Sequence, residues 1–309
     1  MHSYLFIGGL SMKHVVSVSL GSPIRDRDTE ISLYGERIHV SRRGTNGDLD
    51  RAIQMIHELD NHVDAIGLGG IDRYLVVEGQ RYEIMDGRRL AESAVHTPVV
   101  DGSGVKAVWE YTVVNRLVDH HVIHVGQKVL LVSALDRFGM AQAFYEHGFE
   151  TIAGDFIFAS HIDYPITSLE ELKKFARRLL PDLTKMPFAL LYPTGREQDE
   201  ISPDTSYHHY FQDSDIVAGD FHFIHRYLPQ TLDGKIMITN TTTAEDRALL
   251  KSRHLGVLIT TTPVLAGRSF GTNVIEAAIV AATGVEPDDE RWPAAVLEAG
   301  LRYELTRWN

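Results

Sequence analysis

The stretch KVLLVSALDRFGMAQAFYEHGFETIAGDF, Lys128 to Phe156, decides the fold class. An apolar run, a short turn, a helical period and a second apolar run follow one another, which is typical of a parallel βαβ unit. Further strands are predicted at FALLY, SDIVAGD, KIMITN and GVLITTT, with helical segments between them. Because this alternation favours parallel crossovers, the sequence predicts an α/β protein with a Rossmann-like sheet.

The turn inside this unit departs from the dinucleotide-binding pattern G-x-G-x-x-G. Ala134, Asp136 and Gly139 occupy the three glycine positions, so only the third glycine is kept. Arg137 can compensate the charge of Asp136, and the N–H groups at the start of the next helix favour an anion. Asp155, about 20 residues further on, is placed to accept a hydrogen bond from a ribose 2′-hydroxyl, which favours NAD over NADP. The alternative is a structural crossover in which Asp155 caps the next segment.

The first hundred residues have the signals of a separate α/β unit. Strand periodicity covers HVVSVSL, hairpins are predicted around Tyr34–Gly35 and Glu78–Gly79, and Asp48 is expected to start a helix. We therefore expect a smaller N-terminal domain over residues 12–100. A Rossmann-like domain with a C-terminal helix would cover residues 101–309, and residues 1–11 would be an upstream extension.

Composition limits the classes of partner. The 309 residues are 44% apolar and 23% charged, and the formal net charge is −12. Nucleic acid is not expected, because its binders present basic patches. There is no cysteine, no apolar run near the roughly 18 residues of a membrane span, and no secretory signal pattern. The sequence predicts a cytoplasmic protein that binds a small-molecule substrate and neither nucleic acid nor membrane.

The segment VVDGSGVKAVWEYT, Val99 to Thr112, resembles the joint between domains in the quinate/shikimate dehydrogenase family. The order of segments over most of the chain is similar to that family, and in particular to its divergent branch labelled quinate 5-dehydrogenase. The resemblance implies an NAD-dependent oxidoreductase that acts on a ring hydroxyl of a small polyol acid. It also implies that Asp101 matches the family's catalytic aspartate.

The family's lysine motif, N-V-T-x-P-x-K, is missing from the matching segment AIGLGGIDRYL. That segment has Asp72 and Arg73, which we expect to bind substrate, but arginine stays protonated and is a poor general base. Lys106 could supply the missing amine if the turn after Asp101 brings it back to the site. The alternative is a solvated helix lysine.

Hydroxyl and amide side chains follow two neighbouring predicted strands. The carboxyl ends of parallel strands share one edge of a sheet, where such groups can bind phosphate or a polyol. The alternative is that threonines favour strands and cap helices. The residues expected at the cofactor are Thr260, Thr261 and Thr262, and those expected at the substrate are Asn240, Arg268, Ser269 and Asn273.

A short internal repeat draws attention to a second acid. IAGDFIF, residues 152–158, returns as VAGDFHF, residues 217–223, which places Asp220 in the position equivalent to Asp155. Asp220 and His222 are therefore predicted to bind substrate. With a histidine from 208 or 209 they could instead ligate a metal ion, although no metalloenzyme motif is present.

Three functions follow from these patterns. The first is the NAD-dependent dehydrogenase, and the second is a non-redox protein on the same scaffold that binds a phosphorylated or carboxylated metabolite. The third is a metal-dependent enzyme that uses Asp220 and His222. The final predicted helix, from Pro287, has an aromatic end that fits either the domain itself or a second subunit of a homodimer.

Overall fold

The computed structural model describes residues 12–190, 192, 200–265 and 268–308. The predicted extension over residues 1–11 lies outside the described residues, as do residues 193–199 of the polar segment that follows FALLY. Within the described part of the chain, no helix combines the length and apolar character that crossing a membrane requires.

The N-terminal part builds a five-stranded sheet. Its strand order is β2-β3-β1-β4-β7, and every pairing is parallel except that of β2 with β3. A separate hairpin, β5 with β6, lies between β4 and α2 in the chain. The elements are β1 Lys13–Ser19, β2 Arg27–Leu33, β3 Glu36–Gly44, α1 Leu49–Leu59, β4 Ala65–Gly69, β5 Tyr74–Val77, β6 Gln80–Glu83, α2 Met85–Ala91 and β7 Val99–Val100.

The local signals in this part act as predicted. Tyr34 and Gly35 both have positive φ, 53° and 80°, as a tight two-residue hairpin turn requires. The side chain of Asp48 accepts a hydrogen bond from the N–H of Arg51 at 2.8 Å and so caps the start of α1. The predicted hairpins and the predicted start of α1 are confirmed.

The C-terminal part builds a six-stranded sheet with the order β15-β12-β11-β10-β8-β9. All its pairings are parallel except that of β15 with β12, and two short strands, β13 and β14, pair with each other. The predicted α/β class, with a smaller first domain and a Rossmann-like parallel sheet after it, is confirmed. The elements are α3 Ser103–Val105, a π-helical turn Lys106–Glu110, α4 Tyr111–Asp119, β8 Lys128–Leu131, α5 Phe138–Glu146, β9 Glu150–Ala153, α6 Asp155–Ser160, α7 Leu169–Leu183, α8 His208–Asp213, β10 Ile216–Ala218, α9 Phe221–Arg226, β11 Ile236–Thr239, α10 Ala244–Ser252, β12 Val257–Thr260, β13 Val264–Leu265, β14 Arg268–Ser269, α11 Thr272–Thr283, α12 Trp292–Glu298 and β15 Glu304–Arg307.

Two predicted elements are wrong. FALLY is not a strand, because Phe188–Leu190 forms a 3₁₀ turn and the N–H of Phe188 donates to the Asp86 carboxylate at 2.9 Å. The aromatic end of the chain does not continue the final helix. Gly300, with φ of 68°, follows α12 in the left-handed conformation that ends helices, and β15 then pairs with β12.

Helix α11 follows the strands of the second sheet in the chain but packs against the first. It contacts β1 and β4, and nearly all its residues are buried, as expected for a helix that is apolar all round. A Cβ on Gly67 of β4 would lie 2.7 Å from the carbonyl oxygen of Asn273, so the glycine allows the helix start to touch the strand.

Glu276 of α11 also holds the turn that joins the two sheets. Its fully buried carboxylate accepts hydrogen bonds from the N–H of Gly102 at 3.0 Å and from the N–H of Val105 at 2.7 Å. Burial and, to a lesser extent, the nearby Asp101 together raise the pKa of Glu276 to about 8.

This shift makes stability depend on pH in a defined direction. The ordinary pKa of Glu276 is 4.5 and the folded one is about 8, so folding takes up a proton and stability falls as pH rises between these values. From roughly pH 7 to pH 8, we expect the free energy of unfolding to fall by about 1 kcal/mol because of this group. Urea unfolding of the native chain and of Glu276→Gln measures it. Equal pH slopes in the two proteins would contradict the assignment.

Candidate functional site

Lys106 is buried between two aspartates at the place where the two sheets meet. Its Nζ lies 2.6 Å from Asp72 and 2.5 Å from Asp136. Burial alone would lower the pKa of Lys106, but the carboxylates of Asp136 and Asp72 outweigh it and hold the pKa well above its usual value. Lys106 therefore stays protonated.

A second buried cation lies beside the first. Arg137 pairs with Glu110, with Asp136 at 3.1 Å and with Asp220 at 2.8 Å. Asp220 also accepts hydrogen bonds from the Tyr192 hydroxyl and from the Asn240 amide. Lys106 and Glu110 lie at the two ends of the π-helical turn, a rare geometry that is frequent at functional sites.

Burial and the two cations act on the pKa values of these carboxyl groups in opposite directions. Burial raises the pKa of Asp72 well above its usual range, and burial likewise raises the pKa of Glu110. Burial acts in the same direction on Asp136, but Lys106 and Arg137 outweigh it and lower the pKa of Asp136. For Asp220, Arg137 similarly outweighs burial and lowers the pKa. Asp136 and Asp220 are therefore the carboxyl groups whose ionised form the two cations favour most.

The loop after β8 is satisfied by the protein itself. The carboxylate of Asp155 accepts hydrogen bonds from the N–H of Ala134 at 3.1 Å and of Leu135 at 2.9 Å, which are groups that a phosphate would need. Gly139 packs closely against the π-helical turn before α4. A Cβ at this position would be 2.6 Å from the carbonyl oxygen of Ala107. Asp155 therefore holds the loop that precedes it in the chain, and it does not cap the next segment, because the N-cap of α6 is Gly154 without a side-chain hydrogen bond.

Asp101 and Lys106 line the same cavity but are held by different partners. The carboxylate of Asp101 accepts four hydrogen bonds, from the N–H groups of Arg73, Tyr74 and Ser103 and from the Ser103 hydroxyl. These bonds tie β5 to the turn between the sheets. The raised pKa of Lys106 disfavours transfer of a substrate proton to its amine, and the catalytic role of the two residues stays a prediction.

Other predicted residues are placed less favourably for a ligand. Thr260, Thr261 and Thr262 are at most 1% exposed and belong to the packed interior, which disfavours them as cofactor ligands, and that role stays a prediction. Arg73 is directed to Glu83 at 2.9 Å rather than to a substrate. The side chain of Arg268 lies outside what the structure describes.

Most predicted substrate residues do gather at one cavity of about 80 Å³ between the carboxyl edges of the two sheets. The strand order reverses at β8, which lies between β9 and β10, and ligands of open α/β sheets bind at such a point. We call this cavity the carboxylate pocket. Its walls include Asp72, Lys106, Asp136, Arg137, Asp220, His222, Asn240 and Asn273.

An adjoining cavity of about 90 Å³, which we call the arginine pocket, was not predicted. It is lined by Arg25, Arg27 and Arg42 and by the buried hydroxyls of Ser17 and Ser19. The predicted residues His222, Ser269 and Asn273 also reach it. A signal was present in the sequence, because counting outward from the Tyr34–Gly35 turn pairs Arg27 with Arg42 across the hairpin.

The metal-ligand hypothesis for Asp220 and His222 has no geometric support. Across residues 12–190, 192, 200–265 and 268–308, no three or more His, Asp and Glu side chains come together as a metal site. The ring of His209 lies instead against the carbonyl oxygen of Ser206 at 3.1 Å. Asp220 is already used by Arg137 and its neighbours.

The chain belongs to the family described as Domain of unknown function (DUF8754), whose model matches residues 104–307. Residues 14–101 match a second model, Domain of unknown function (DUF8753). No relative among curated proteins matches the chain. Membership in the quinate/shikimate dehydrogenase family and a cytoplasmic location stay predictions, as does the homodimer.

Solved structures resemble the chain at low identity. A sugar ABC transport substrate-binding protein from Bordetella parapertussis 12822 is 13% identical with a TM-score of 0.35, covering 89% of this chain and 81% of its own. GanP, a glucose-galactose binding protein from Geobacillus stearothermophilus, is 9% identical with a TM-score of 0.35, covering 96% and 98%. A putative malic enzyme is 10% identical with a TM-score of 0.32, covering 94% and 85%.

The prediction of an NAD-dependent dehydrogenase is wrong. The solved structures that resemble the chain include proteins described as binding or transporting sugars. In the structure itself, Asp155 accepts hydrogen bonds from the loop that would hold a phosphate, and the raised pKa of Lys106 disfavours its action as a base. Binding of NAD itself stays a prediction, which the contacts of Asp136 and Asp155 disfavour.

The ion pairs of Lys106 predict that removal of this buried lysine lowers the stability of the protein more than removal of an exposed lysine. Lys106→Met leaves Asp72 and Asp136 without their shared cation, and breaking a buried pair in this way costs about 3–5 kcal/mol of stability. Lys128→Met is the control, because Lys128 is half exposed and its Nζ is 3.6 Å from Glu150. It should cost less than about 1 kcal/mol. Urea unfolding compares the two, and similar losses would refute the buried cluster.

Proposed function

We propose that this chain binds a small phosphorylated or carboxylated metabolite in the arginine pocket, without redox chemistry. The observation that carries the proposal is the convergence of Arg25, Arg27 and Arg42 on one cavity in a chain with a net charge of −12. Such a local excess of positive charge favours an anion. Arginine forks match the oxygens of carboxylate and phosphate groups.

The hairpin places two of these arginines directly opposite each other. Arg27 of β2 and Arg42 of β3 are cross-strand partners, and like charges in that arrangement are unfavourable. Asp26 offsets part of this repulsion, because its carboxylate lies 2.7 Å from Arg42. Arg27 lies over the ring of Phe270, 5.9 Å from its centroid. An anion between the two guanidinium groups would reduce this repulsion further.

The start of α11 adds partial positive charge on the other side of the pocket. Gly271 and Asn273 line it, and no side chain caps this helix at Gly271. The dipole of a 12-residue helix favours a negative group near its first turn. The amide of Asn273 donates to the Ser17 hydroxyl at 2.8 Å, which fixes the helix start against β1.

The adjoining carboxylate pocket extends the space for the rest of the ligand. Gly69, Gly70, His222 and Thr241 line both cavities, so the two adjoin. Their volumes, about 90 and 80 Å³, suit a metabolite with one anionic group and a short polar body.

The test is titration calorimetry with inorganic phosphate, glycerol 3-phosphate and malate. We expect binding that weakens with added salt. In Arg27→Gln, affinity should fall by about 10- to 100-fold, because a charge-assisted hydrogen bond is lost.

Arg37→Gln is the matched control. Arg37 lies on β3 but pairs with Glu30 at 2.5 Å in an exposed position, so its loss should leave affinity unchanged. Melting temperatures show whether each variant is folded. The proposal fails if no anion binds the native chain at millimolar concentration, or if Arg27→Gln binds as well as Arg37→Gln.

A further inference from the structure

An apolar cavity lies apart from the arginine pocket. Its volume is about 370 Å³, and none of its lining residues is shared with the arginine pocket. It adjoins the carboxylate pocket, with which it shares Asp72, Asp136, Phe188 and Tyr192.

Apolar side chains form most of its walls. Phe175, Leu179 and Leu183 follow one another at intervals of four residues, so they lie on one face of α7 and form one wall. Leu135, from the loop after β8, and Phe156, from α6, line the same cavity. A cavity with such walls attracts apolar molecules, because transfer of apolar surface out of water is favourable.

Exposed apolar side chains mark the mouth of the cavity. Met186 is 39% exposed and Leu190 is 66% exposed, and both line it. Exposed apolar groups that adjoin a concave apolar surface are typical of ligand sites.

The size of the cavity sets the size of its ligand. An apolar cavity of about 150 Å³ is enough to bind benzene. The present cavity, at about 370 Å³, has room for a molecule of roughly two fused rings with a short side chain.

The ionisable groups among the described lining residues disfavour anions. The ionisable groups among the described lining residues are Asp72, Asp136, Asp155 and Tyr192, and none of these residues is Lys, Arg or His. Burial raises the pKa of Asp155 to about 6, so this group is ionised at neutral pH. A ligand carboxylate or phosphate would lose its water without gaining a cation, whereas an N–H group could donate to these acids.

We propose that this apolar cavity is a second binding site, which takes a fused-ring aromatic compound that carries N–H donors and no negative charge. The site differs from the arginine pocket, with which it shares no lining residue.

Three compounds that share the indole ring test the charge rule. Indole and tryptamine should bind with a Kd of about 1 mM or tighter at neutral pH by titration calorimetry. Indole-3-propionate, which carries the same rings and a carboxylate, should bind about tenfold more weakly or not at all. Equal binding of indole-3-propionate, or no binding of indole and tryptamine, would overturn the proposal.

A large side chain introduced at the rim of the cavity tests whether the ring compounds bind there. Ala159 is an exposed residue of α6 that lines the cavity, so Ala159→Trp should fill the mouth and lower tryptamine affinity by about tenfold without disturbing the interior. Ala294→Trp is the control, on an exposed position of α12 outside the cavity.

Arg27→Gln should leave tryptamine binding unchanged, so loss of anion binding and loss of ring binding are separate results. Tryptamine affinity that is unchanged in Ala159→Trp, or equally reduced in the control, would show that the rings bind elsewhere and would end the proposal.

Discussion

The structure depends on the need to pair two buried cations. Lys106 and Arg137 lie where the carboxyl edges of the two sheets meet, with side chains 7% and 2% exposed. An isolated charge at such depth is too costly to persist, so each must be matched by carboxylates. Those carboxylates come from different parts of the chain: Asp72 follows β4, Asp136 follows β8 and Asp220 follows β10. The pairing therefore fixes how the two sheets face each other.

Local signals in the sequence were enough to predict much of the fold. Asp48 caps the helix that it was expected to start, and Thr243 forms a complete capping box with Asp246 at the start of α10. These interactions span only three residues, so they can be recognised without the tertiary structure. The segment at Phe188 and the strand β15 were missed for the opposite reason. A contact with Asp86 and a place beside β12 decide their conformations.

The site was harder to predict because its partners are distant in the chain. Asp136 was recognised as a departure from the glycine pattern, yet its partner Lys106 is 30 residues earlier and the sequence does not show that they meet. Burial changes the chemistry further, since a lysine expected to lose a proton is held in its charged form. Arg27 and Arg42 could have been paired from the hairpin turn, but a turn does not reveal that α11 faces them.

The position of α11 governs the order in which the molecule can assemble. The helix is made after the strand segments β8 to β14, yet it supplies part of the interior against β1 and β4. During synthesis, one face of the first sheet stays uncovered until residues near 280 have been made. That face is therefore open to unwanted association with other chains during this time. The two family models divide the chain between residues 101 and 104. The packing of α11 against β1 and β4 joins residues from both sides of that boundary. Evolutionary modules and cooperative folding units are therefore different divisions of this chain.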